Sequence, residues 1–96
     1  MAIYLIVDTL LDKPEHYEEY KLKAKPLVEH FGGAYLARGG ALSLKETDLW
    51  SPTRVVLVRF LDAASASRFY DSPEYQAILP ISARSARRTL VMLEGI

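Results

Sequence analysis

Arg38 closes an apolar run, Ala34-Tyr35-Leu36-Ala37, and is followed at once by Gly39-Gly40. Two missing side chains beside a guanidinium let a ligand or another backbone come close. The planar fork suits a carboxylate or enolate oxygen held by two parallel hydrogen bonds, and it suits equally a salt bridge to a carboxylate within or between subunits. Ser72 and Tyr75 stand three apart in Ser72-Pro73-Glu74-Tyr75, offering a hydroxyl and a phenol to a ligand. Serine before proline is also a helix start, with Ser72 as cap and Pro73 as first residue. No histidine lies near Ser72 in sequence and no Gly-x-Ser-x-Gly turn surrounds it, which argues against a serine hydrolase. Tyr20 offers a further hydroxyl from a helix stripe. Trp50, the single tryptophan, belongs to a loop that either closes over a pocket or seals a subunit edge.

His16 and His30 are the only histidines. His30 adjoins the buried stripe of its helix and, with Tyr75, is a candidate for moving a proton near neutral pH; it also suits a helix C-terminus, where a cationic imidazole is favoured. On one helix the two histidines lie about 21 Å apart, too far to share an ion, and neither has a His-Glu-x-x-His partner. No metal is expected. Neither double glycine has the following residues of a phosphate-binding loop or the spacing of a dinucleotide fingerprint, so no cofactor is expected either. Arg84, Arg87 and Arg88 form a local basic cluster that reads as a solvated face.

These side chains need a scaffold. Ninety-six residues, half of them hydrophobic and a quarter charged, predict a single domain over residues 1–96 that buries about 60–65% of its unfolded surface. Twelve basic against twelve acidic residues leave no net charge, which disfavours nucleic acid as a partner. No apolar run is long enough to span a bilayer, no cysteine is present, and the amino-terminal apolar residues read as a first strand instead of a signal peptide. A cytoplasmic protein with no membrane partner is expected.

Alternation predicts a first strand over about Ile3–Asp8. Asp12 and Glu15 form a capping-box-like start, with Pro14 in the first turn of a helix whose stripe is Tyr17, Tyr20, Ala24, Leu27 and Phe31. Pro26 is expected to kink or split it after Lys25, and Gly32-Gly33 to end it. A second strand, Ala34–Arg38, precedes a short extension at Leu42-Ser43-Leu44 and a loop over Thr47–Thr53. The third strand, Arg54–Phe60, is apolar on both faces: Val55 and Leu57 on one, Val56, Val58 and Phe60 on the other. Asp62 caps a helix to about Tyr70, Ser72-Pro73 starts another that Pro80 interrupts, and Thr89–Glu94 is the last strand. The order β-α-β-β-α-β predicts an α+β, ferredoxin-like fold with an antiparallel sheet and helices on one face. The other apolar face then calls for a second copy of the chain.

The run Gly32 to Gly40, then Trp50, Pro52 and Arg54, then Ser72-Pro73-Glu74-Tyr75-Gln76, resembles the domain-of-unknown-function family numbered 1330, from Tyr4 to Gly95. That resemblance implies the dimeric α+β barrel superfamily, in which two ferredoxin-like protomers pack sheet against sheet with helices outside. Matching positions are Tyr20, Arg38, Gly40, Arg54, Ser72 and Tyr75. Two departures stand out: the arginine expected near Ser82 is absent, with Arg84 two residues on, and Arg59 replaces a usual acidic residue. The superfamily includes cofactor-free monooxygenases, lactone isomerases, haem-using enzymes and stress-related proteins, and shared fold is an analogy only. Two functions are therefore carried forward. One is a cofactor-free enzyme acting on a small aromatic or carbonyl compound, shielding a reactive enolate or phenolate. The other is a homodimeric small-molecule-binding or stress-related module without turnover. Tyr20, Arg38, Trp50, Ser72 and Tyr75 are the expected ligand-binding residues.

Overall fold

The computed structural model describes residues 1–96. Strand β1 (Ile3–Leu11) leads into helix α1 (Pro14–His30), followed by β2 (Ala34–Arg38), β3 (Val55–Phe60), α2 (Ala63–Asp71), α3 (Pro73–Ser85) and β4 (Ala86–Glu94). The strands form one antiparallel sheet in the order β2-β3-β1-β4. This is the ferredoxin-like arrangement expected from the element order, and no helix is long and apolar enough to cross a membrane.

Alternation along β1 organises both sides of the sheet. Ile3, Leu5, Val7 and Thr9 are buried, while Tyr4, Ile6 and Asp8 point the other way and are only half-buried. Register carries that parity across: Val7 lies opposite Val56 on β3 and Leu90 on β4. The inner face packs against Tyr17, Tyr20, Ala24 and Val28 of α1, Ala66 and Phe69 of α2, and Tyr75 and Ile78 of α3. Directly opposed residues share a face, so the outer face carries Ile6, Leu57, Val91 and Leu93, with Val91 49% and Leu93 55% exposed.

Several helix ends follow their sequence signals. Asp62 Oδ1 accepts from Ser65 N at 2.8 Å, and Ser72 Oγ accepts from Tyr75 N at 3.1 Å, each satisfying a backbone donor that the first helical turn leaves free. Gly32 takes φ +90° at the close of α1, a conformation that suits glycine. The α1 start departs from expectation. Lys13 occupies the cap position without a side-chain hydrogen bond, so Asp12 and Glu15 form no capping box; instead the Asp12 and Lys13 amides both donate to Ser85 O at 2.9 Å. The end of α3 thereby anchors the beginning of α1.

Neither Pro26 nor Pro80 splits its helix. A helical proline orphans the carbonyl four residues before it. Here those are Leu22 and Gln76, both exposed as the prolines are, so water can replace the lost donor. The expected Leu42–Leu44 strand is absent, and residues 39–54 form an arm without regular structure. Strands β1 and β4 are longer than expected because they pair along their whole length, from Ile3 opposite Glu94 to Leu11 opposite Ala86.

Gly33 tests the packing where α1 turns onto the sheet. A Cβ there falls 2.7 Å from Val28 Cγ1 and 2.8 Å from Phe60 Cζ, and Phe60 is fully buried. Gly33→Ala is expected to lower stability by about 1–3 kcal/mol, read by urea denaturation. Gly40→Ala, where a Cβ meets nothing within 4 Å, is the matched control and stays within about 0.5 kcal/mol.

Candidate functional site

Tyr20 and Tyr75 meet between α1 and α3, their hydroxyls 2.7 Å apart. Each reaches that point for a local reason. Tyr20 lies one turn from Tyr17 on the buried stripe of α1, and Tyr75 is the third residue of α3, its amide held by the Ser72 cap. Phe69 supports Tyr75 with ring centroids 4.4 Å apart. Beneath the pair lies Arg88 of β4, whose guanidinium carbon sits 4.8 Å from the Tyr20 ring centroid and whose Nη2 donates to Tyr75 Oη at 3.4 Å.

Arg88 departs most from its expected place. It is half-buried and faces inward on the same side as Leu90, so it is not part of a solvated basic face; Arg84 and Arg87 are exposed. It takes part in none of the ion pairs of the protein, all three of which lie on α1. Its Nε is buried without a hydrogen-bond partner. A half-buried guanidinium with an idle donor and no counter-ion carries a desolvation cost, which the Tyr20 ring face offsets only in part.

A cavity of about 50 Å³ runs between α1 and the sheet, bordered by Tyr20, Tyr75, Arg88, Arg38, Arg54 and the half-buried Tyr35. On the other side of Tyr75, Arg88 and Leu90 an open groove of about 800 Å³ follows the crease between α3 and β4. The same phenol and guanidinium therefore border both spaces. Burial pushes the Tyr20 phenol well above its ordinary value, the adjacent Tyr75 adds to this, and Arg88 pulls the other way. Tyr20 thus remains a neutral hydroxyl at neutral pH, able to donate or accept a hydrogen bond but not to act as a base. No carboxylate and no histidine borders the inner cavity.

The other expected residues are distributed differently. Arg38 lies at the rim of the cavity, over the Tyr35 ring at 4.7 Å and donating to Lys21 O at 3.3 Å; it makes no ion pair. Ser72 is buried and its hydroxyl is committed twice, accepting from Tyr75 N and donating to Phe69 O at 2.8 Å. It acts as a cap that aims Tyr75 and does not border the cavity. His30 is exposed at the end of α1, edge-on to Phe31, and lies away from the cavity.

Trp50 is engaged on the opposite side of the sheet. Its Nε1 donates to Asp8 Oδ2 at 2.9 Å, and Asp8 Oδ1 accepts from Thr53 N, Thr53 Oγ1 and Arg54 N. One carboxylate thus pins the arm to β1. A lone acid at a strand end carries no motif, so Asp8 has no signature in the sequence. Arg88 did leave a signal: with the last strand extended back to Ala86, it falls in phase with Leu90 and Met92.

The family model for the domain of unknown function DUF1330 matches residues 2–96. The chain belongs to that family. Among solved structures, this DUF1330 chain is similar to RPA0582 from Rhodopseudomonas palustris, a protein of unknown function, at 17% identity and a TM-score of 0.79, covering 99% of this chain and 82% of that one. It is similar to a dimeric ferredoxin-like protein of unknown function from Jannaschia sp. at 18% identity and TM-score 0.74, covering 99% and 100%. It is also similar to SnoaB, a cofactor-independent oxygenase from Streptomyces nogalater, at 8% identity and TM-score 0.70, covering 99% and 93%. No curated protein matches the DUF1330 chain. At these identities the likeness establishes the shared fold.

The Asp8 anchor makes a pH prediction. Burial alone raises this carboxyl, but hydrogen bonds from Thr53, Trp50 and Arg54 outweigh it and hold the group at about 2. A carboxyl lowered on folding contributes stability above its unfolded value, near 3.8, and that contribution is lost as pH falls through the folded value. Trp50 emission is therefore expected to stay constant down to pH 4 and to change with a midpoint near pH 2. Asp8→Asn removes that transition.

Proposed function

We propose that this protein is a homodimeric, cofactor-free enzyme acting on a small aromatic or carbonyl compound, with Arg88 holding the oxygen on which negative charge develops. The observation that carries this reading is the state of Arg88: half-buried, unpaired by any carboxylate, and with its Nε idle. An enolate or phenolate oxygen meets that need. It accepts hydrogen bonds from the guanidinium and from Tyr75, whose own hydroxyl is oriented by Tyr20. Fixed donors in a site shielded from water stabilise such an oxyanion more than water does, and an electron-rich enolate or phenolate is the species that reacts with dioxygen or isomerises. In oxidation of a phenol to a quinone, one atom of O2 enters the ring and the other leaves as water, with the substrate supplying all four electrons. The likeness to a cofactor-independent oxygenase supports the oxygenase form.

Dimerisation is supported by the outer sheet face, where Ile6, Leu57, Val91 and Leu93 have no helix over them, and by the dimeric neighbour of the same fold. A face of this kind is costly to leave in water.

A non-catalytic binding module is the second reading. It is favoured by the lack of a carboxylate or histidine around the inner cavity and by the raised Tyr20 phenol. With no base there, a substrate must lose its proton to water or arrive ionised.

Oxygen uptake with a 1,3-dicarbonyl or a polyhydroxylated arene, measured in EDTA, separates the two. Uptake above the protein-free rate, abolished in Arg88→Met and reduced roughly five- to tenfold in Tyr75→Phe, is the expected result. Binding of the same compounds without uptake or isomerisation selects the binding module. Sedimentation at micromolar concentration is expected to give two subunits per particle; a well-folded lone subunit overturns the dimer.

A further inference from the structure

We infer that the ligand is a carbonyl compound with a second anionic group, a carboxylate held by Arg38 and Arg54 at the opposite end of the cavity from Arg88; this rests on the site proposed above. The inner face of the sheet places the cations in order. Arg54, Thr9 and Arg88 stand side by side on the ends of three adjacent strands: Thr9 N donates to Arg54 O at 3.0 Å, and Thr9 is the register partner of Arg88. Neighbouring strands lie about 4.8 Å apart, so the stems of Arg54 and Arg88 rise roughly 10 Å from one another. Arg38, opposite Val56 on β2, extends the Arg54 side of the cavity.

All three arginines border the cavity, and none is paired with a carboxylate anywhere in the protein. Lys21, also at its border, is already neutralised by Glu18 at 2.9 Å. Three uncompensated charges around one small space exceed what a single enolate balances. Between the two arginine stems lies Thr9, which does not itself border the cavity. Thr9 is 1% exposed, and its Oγ1 has no hydrogen-bond partner. An orphaned hydroxyl at that depth is costly, and it stands in the same row as the idle Nε of Arg88.

The probes are 2-oxoglutarate and 2-oxopentanoate, equal in chain length and differing only in the distal carboxylate, titrated calorimetrically into the full chain. The wild-type protein is expected to bind 2-oxoglutarate roughly tenfold or more tightly than 2-oxopentanoate. Arg38→Gln and Arg54→Met, checked for folding by circular dichroism, bring the two affinities together, while Arg88→Met weakens both. Equal wild-type affinities, binding of neither at millimolar concentration, or discrimination that survives both distal substitutions overturns the inference. The outcomes keep the two proposals apart. Equal affinities that both fall in Arg88→Met remove the second anion and leave the Arg88 site standing. Affinities indifferent to Arg88→Met remove that site itself.

Discussion

The alternation of β1, hydrogen-bonded on both edges, constrains everything else in this chain. Because β1 lies between β3 and β4, its residues have no freedom to rotate out of phase without moving two neighbours. Thr9 is thereby committed to the helix side and Asp8 to the other. Two adjacent residues serve two unrelated structures: Thr9 shares a row with the arginines of the cavity, and Asp8 receives Trp50, Thr53 and Arg54 from the arm. Arg54 joins the two, since its backbone amide is bound by Asp8 while its side chain borders the cavity. The anchoring of the arm on one side thus helps hold a guanidinium in position on the other.

The polar centre has no acid in it. Its hydrogen bonds run between phenols and a guanidinium. Burial holds the Tyr20 phenol well above its ordinary value. Such a centre is organised to receive negative charge instead of generating it, and its stabilising effect increases as charge appears on a bound oxygen. Ser72 contributes from outside by fixing the first turn of α3, so that Tyr75 projects toward Tyr20.

Much of this was legible in the residues, for identifiable reasons. Asp62, Ser72 and Gly32-Gly33 mark helix ends through local chemistry that needs no tertiary information, and the apolar parity of Val55–Phe60 is a property of the strand alone. Tyr20 and Tyr75 stand out as aromatic residues with polar tips on buried stripes, yet their meeting depends on how α1 crosses α3, which no local pattern encodes. Pro26 and Pro80 leave their helices unsplit because the cost depends on the orphaned carbonyl, here that of the exposed Leu22 and Gln76. Arg88 is hidden when the last strand begins at Thr89, three residues late, since the alternation is then not followed back through Ala86–Arg88. Asp12 and Glu15 had the spacing of a capping box, but the carbonyl of Ser85 claimed the Asp12 and Lys13 amides first.

Helix α3 passes into β4 with no intervening residue, Ser85 ending one and Ala86 beginning the other. That junction works as a mechanical phase-setter. Ser85 is fully buried, its hydroxyl tied back to Ile81 O at 2.6 Å and its carbonyl to the start of α1, so the strand leaves the helix at a clamped angle. Lengthening the junction by one residue would exchange the inward and outward positions of the strand, swinging Arg87 toward the tyrosines and carrying Arg88 to the far side. The identity of the cation beneath the phenols is therefore a matter of chain counting from a clamp, and the absence of slack at Ser85 keeps that count from slipping.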